Sequence, residues 1–147
     1  MQFKSTAFAL LFGALAFTAC DKDEDKPAAT NDTVELTATI NGQQEVPANN
    51  SAATGTMTGS YNKTTRVLTY TVTYQGLTPA AGHIHQAAPG VNGGVMVPFS
   101  SVTTSPITGT ATLSQADGDA LLAGNSYVNL HTQAFTAGEI RGNIRQK

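Results

Sequence analysis

All three histidines of the chain fall in two short segments with the composition of β-strands. His83 and His85 flank Ile84 in Gly82-His83-Ile84-His85, and His131 closes Tyr127-Val128-Asn129-Leu130-His131. Residues at i and i+2 of a strand point to the same side. His83 and His85 can therefore reach one point while Ile84 turns into a core. In the second segment Tyr127, Asn129 and His131 share a side, and Val128 and Leu130 share the core side. Two imidazoles from one strand and a third from a neighbour form a three-nitrogen set suited to Zn²⁺ or Cu²⁺. Asn129, Glu139 and Arg141 are the polar residues expected in support, and Glu139 or Asp119 could add a carboxylate. The same residues also suit a polar cluster without metal, in which His83 or His85 bonds backbone carbonyls, Asn129 or Glu139. What separates the two readings is whether the ring nitrogens converge.

Other chemistry finds little footing. There is no Gly-x-Ser-x-Gly elbow, no His-Glu-x-x-His and no phosphate-cradling glycine loop. No catalytic residue is assigned, and the expectation is a non-enzymatic protein with a small opening for copper redox activity. Arg141, in Glu139-Ile140-Arg141-Gly142, suits an anion, or more commonly a carboxylate such as Glu45 or Glu139. The formal net charge is −2. With no basic stripe, nucleic acid is not expected as a partner.

The elements that must position the histidines are strands. Arg66 to Tyr74 alternates Leu68, Tyr70, Val72 and Tyr74 on one face with Val67, Thr69, Thr71 and Thr73 on the other, the period of a half-buried strand. Val34 to Ile40 is a strand ending at the turn Asn41-Gly42, and Gly55 to Tyr61 is another, linked to the Arg66 strand through a hairpin at Tyr61-Asn62-Lys63-Thr64. Gly82 to His85, Ile107 to Leu113, Tyr127 to Thr132 and Glu139 to Arg145 follow. Val95 to Phe99 carries Pro98, which points to an edge or a bulge. Ala87 to Gly94 reads as a loop. Ser114 to Ala123 is the one helical patch, with Ser114 as N-cap and Gly124 just past its end; Gly118 weakens it. About eight short strands and one helical turn predict an all-β, antiparallel Greek-key sandwich or barrel.

The N-terminal region sets the expected compartment. Lys4 is followed by the apolar run Ala7 to Ala19, shorter than the about 20 residues of a membrane-spanning helix and suited to a secretory signal. It runs into Phe17-Thr18-Ala19-Cys20, which suits cleavage before a lipid-modified cysteine. Cys20 is the sole cysteine, so no disulfide forms within the chain and acylation is its expected chemistry. Residues 1–19 are thus read as a signal peptide, 20–32 as a lipidated cysteine with an acidic tether, and 33–147 as one domain. Asp21, Asp23, Glu24, Asp25 and Asp32 are five of the ten acidic residues. An acidic, lysine-containing stretch after such a cysteine resembles a lipoprotein surface-export signal. The expected location is the outer membrane, on the cell surface or otherwise facing the periplasm, with the membrane engaged through the acyl chains. Asp32-Thr33-Val34 fits an O-glycosylation pattern at Thr33.

Several ordered motifs resemble the chordin-type, or CHRD, domain: Glu45-Val46-Pro47, His83-Ile84-His85, Tyr127-Val128-Asn129-Leu130-His131-Thr132 and Gly138-Glu139-Ile140-Arg141-Gly142. The likeness runs from about Val34 to Ile144. It implies a β-sandwich module of exported proteins without an assigned biochemical activity. The expected role is a non-enzymatic binding or envelope component with an extracellular or periplasmic protein or glycan as partner. A His-x-His strand in a small Greek-key sandwich is also similar to copper/zinc superoxide dismutase. The chain lacks that family's disulfide and its histidine-rich zinc loop.

Overall fold

The computed structural model describes residues 32–147; the apolar N-terminal run, Cys20 and nearly all of the acidic tether lie outside the described residues. The strands are β1 (Thr33–Asn41), β2 (Thr54–Asn62), β3 (Val67–Gln75), β4 (Ala81–Gln86), β5 (Gly94–Pro98), β6 (Ile107–Thr112), β7 (Ser126–His131), β8 (Ile140–Asn143) and β9 (Arg145–Gln146), with one helix, α1 (Gln115–Leu122), and a 3-10 turn at Gly42–Gln44. They form one antiparallel system in the order β5-β4-β7-β8-β1-β2-β3-β6, with β9 also on β1. The ladder between β1 and β8 holds a single pair, Asn41 and Arg141. The sheet thus turns a corner there, and its two halves close over a common core. The all-β antiparallel sandwich or barrel expected from the alternation is what the chain forms.

Alternation explains the core. Leu36, Ala38 and Ile40 of β1, Met57 and Tyr61 of β2, and Leu68, Tyr70 and Val72 of β3 are all buried, as are Ile84 of β4, Val128 and Leu130 of β7 and Ile140 of β8. The intervening threonines of β1 to β3 face outward. Helix α1 starts as expected: the Ser114 hydroxyl accepts from the Asp117 amide at 3.1 Å, satisfying an otherwise orphaned donor. It ends with Gly124 in the left-handed region at φ +75°. Gly118 has a packing reason, since a Cβ there would collide with the Tyr61 hydroxyl.

Three local expectations shift, and one, the edge or bulge at Pro98, holds. The strand expected over Glu139 to Arg145 is split at Ile144, whose amide donates to Ser126 O at 2.9 Å while its side chain enters the core. Arg66 is not in the strand but in the turn before it, at φ +58°. β5 is an edge strand, and its pairing with β4 slips between Ile84 and His85, so Pro98 sits in a strand that has both an open edge and a bulge. Asp32, read as the end of the tether, is already tied to the domain: Lys63 N donates to its carbonyl at 2.7 Å and the Thr64 hydroxyl to its carboxylate at 2.6 Å.

Candidate metal centre

Register brings the histidines together. β4 runs antiparallel to β7, with Ala81 opposite His131, His83 opposite Asn129 and His85 opposite Tyr127. His83 and His131 are therefore diagonal neighbours on one face, a separation that long side chains bridge. Their rings meet edge to face with centroids 5.2 Å apart, and His83 and His85 do so at 5.3 Å. One ligand atom from each of the three imidazoles lies within 4.8 Å of the others. His85 is buried at the base of the group; His83 and His131 are half-buried toward its mouth.

The outer nitrogens are already committed. His85 Nδ1 lies 3.0 Å from Gly93 O and His131 Nδ1 lies 3.1 Å from Thr136 O. A carbonyl only accepts, so both Nδ1 atoms carry the proton and each Nε2 keeps a lone pair. Such carbonyl partners are the usual outer support of metal-ligating histidine. His131 Nε2 accepts a hydrogen bond from His83 Nδ1 at 3.3 Å, a proton that a bound ion would displace. His85 Nε2 is buried with no hydrogen-bond partner. Two nitrogens bound tetrahedrally at about 2.0–2.1 Å stand roughly 3.3 Å apart, which is the His83–His131 separation. The His85 ligand atom lies within 4.8 Å of the other two. Burial, then the neighbouring imidazoles, hold His83 below its usual pKa of 6.5, and burial also lowers His85. Both rings are thus neutral at pH 7, the form that binds a metal ion.

Behind His85 stands a stacked column. Tyr127 lies face to face with His85, centroids 4.9 Å apart and planes 7° from parallel. The Arg141 guanidinium covers Tyr127's other face, its Cζ 3.4 Å from the ring centre. Register accounts for this too. Asn129 opposes Arg141 across β7 and β8, which puts Arg141 diagonal to Tyr127. The segment Val91–Gly93 laces the column shut: Arg141 donates to Val91 O at 2.8 Å and Asn92 Oδ1 at 3.1 Å, and Gly93 N donates to the Tyr127 hydroxyl at 3.1 Å. The side of β7 expected to face outward is therefore covered, with Tyr127 and Asn129 both buried and Arg141 fully so.

The remaining candidates are not part of the histidine group. The Glu139 carboxylate accepts from Ser51 Oγ at 2.7 Å and Thr132 Oγ1 at 2.6 Å. Asp119 accepts from Gln115 on α1 at 2.9 Å. Asn129 Oδ1 and Glu45 Oε1 are buried and without partners, both against Gly138, where a Cβ would come within 2.6 Å of either side chain. Burial raises the Glu45 pKa to about 7, against the pull of Arg141 and of a bond from the Val46 amide. Arg141 hydrogen-bonds the loop, while Glu45 acts on it through charge alone. Thr33 opens β1 opposite Asn62 and is half-buried.

A model of the CHRD domain matches residues 36–144. The chain belongs to the CHRD family. No curated protein and no solved structure matches it. All three histidines and the whole column fall inside the CHRD match. Sequence reasoning missed Tyr127, Val91, Asn92, Gly93 and Thr136 as supports. The only signal available was the glycine-rich loop at Gly90 to Gly94, which marks a turn but not what the turn touches.

Proposed function

We propose that this chain is an exported, membrane-anchored lipoprotein whose CHRD domain is a non-enzymatic module that holds one transition-metal ion, copper or zinc, between His83, His85 and His131. The observation that carries the reading is His85 Nε2, buried without a partner in a group of three imidazoles whose ligand atoms lie within 4.8 Å of one another. An unsatisfied buried nitrogen costs roughly 1–3 kcal/mol, and an ion would satisfy all three donors at once. The apolar run Ala7 to Ala19, the lone Cys20 and the acidic stretch after it support export and acyl anchoring, at the outer membrane and on the cell surface. Calorimetric titration of the protein with Zn²⁺ and Cu²⁺ tests the metal reading, beside a His83→Ala/His85→Ala double variant. One saturable site in the wild type, lost in the variant, is the expected result. Equal, weak binding by both would remove the metal from the account.

A second reading, a docking module for a protein or glycan outside the cytoplasm, is favoured by one feature. β5 is an edge strand, and Val95 within it and Val91 just before it are each 52% exposed. An unpaired edge flanked by exposed valines can accept an added strand. Val95→Lys would then abolish co-purification of an envelope partner without altering metal binding; unchanged co-purification would count against this surface.

A further inference from the structure

We propose that the ion held by the three histidines keeps its fourth coordination position open toward solvent, and that this position takes a small monoanion. The inference rests on the metal reading above. Its first support is the donor count. Among the described residues the converging group contains three imidazoles and no carboxylate. Both Glu139 oxygens accept hydroxyl hydrogen bonds and Asp119 accepts from Gln115 on α1; Glu45 Oε1, though unpartnered, lies against Gly138 and outside the converging group. Structural zinc sites fill all four positions with protein ligands, whereas three-ligand sites leave the fourth to an outside donor.

The second support is direction. His85, 8% exposed, forms the floor, and the half-buried His83 and His131 form the rim. Three nitrogens set in this way occupy one face of a tetrahedron, and its apex points away from the floor. The third support is charge. Three neutral imidazoles compensate none of the ion's charge, and the Arg141 guanidinium adds a further cation two stacking layers below. A ligand at the apex that carries a negative charge is favoured over a neutral one.

Azide added to the Cu²⁺-loaded full chain in detergent provides the test. The ligand-field spectrum before azide reports whether copper sits on the histidines, since it must change in a His131→Gln variant. Azide should then generate a new near-ultraviolet charge-transfer band in the wild type, saturating at one azide per copper. Histidine-bound copper whose spectrum azide leaves unaltered would overturn the open position and leave the metal site standing. Copper whose spectrum is indifferent to His131→Gln would overturn the metal reading, and this inference with it.

Discussion

At the scale of single residues, the account turns on nitrogens whose second partner is fixed. His85 and His131 each spend Nδ1 on a carbonyl, so their Nε2 lone pairs are presented and not free to choose. Removing the buried ligand should cost more than removing a support, whose loss typically weakens metal binding 10–100-fold. His85→Ala is expected to weaken Zn²⁺ binding by more than about 100-fold, read by competition with a chromophoric chelator; a change below about tenfold would exclude His85 as a ligand. The pH dependence follows from the lowered pKa values of His83 and His85. Both rings are neutral above 6.5, so protons on these two ligands should not weaken binding between pH 8 and 7. A steady decline starting from pH 8 would contradict it. Glu45 has the opposite sign. Its carboxyl titrates near 7 when folded against 4.5 ordinarily, so the folded state binds its proton more tightly. That contribution is complete below pH 4.5 and lost as pH rises through 7. Glu45→Gln keeps the shape and removes the buried charge. It should raise stability at pH 8 by on the order of 2 kcal/mol and by little at pH 5, measured by denaturant unfolding; no gain at pH 8 would show that the buried charge is compensated after all.

At the scale of elements, the pairing of β4 with β7 and of β7 with β8 does the positioning. His-x-His on one strand was legible as a shared face because that follows from the two-residue period alone. That His131 lies diagonal to His83, and Arg141 diagonal to Tyr127, was not, because register depends on which strands pair and at what offset. Nor did the sequence disclose the cover over Tyr127 and Asn129. Their alternation reads as outward-facing, and only the return of the Val91–Gly93 segment, bonded to Tyr127 and Arg141, buries them. Tyr127→Leu should weaken metal binding about 10–100-fold by releasing the His85 ring, whereas Tyr127→Phe, which keeps the stack, should cost less than about tenfold. Equal effects of the two would mean that the hydroxyl bond to Gly93, and not the stacking, holds the site. The helix offers a separate check. Alanine in place of Gly118 would gain about 1 kcal/mol of helix propensity, but the collision with Tyr61 should cost 1–3 kcal/mol. Net destabilisation in thermal unfolding is expected, and a more stable Gly118→Ala variant would contradict the packing.

At the scale of the whole molecule, a CHRD domain spanning most of the chain follows a lone cysteine and an acidic stretch. The fold was readable in outline because alternating strands and turn residues agree with one another along the chain. The strand break at Ile144 was not, since an apolar residue on the right face looks the same whether its strand continues or ends. If Cys20 is the anchor, Cys20→Ala should move the protein from the membrane fraction to the soluble one or leave it uncleaved; a normally processed, membrane-bound variant would rule the anchor out. The claim on which the rest depends is that three imidazoles share one ion. X-ray absorption at the zinc edge of the metal-loaded protein tests it most directly. The account predicts three imidazole nitrogens at about 2.0 Å and one further light atom in the first shell. A shell of oxygens alone, or of a single imidazole, would contradict it.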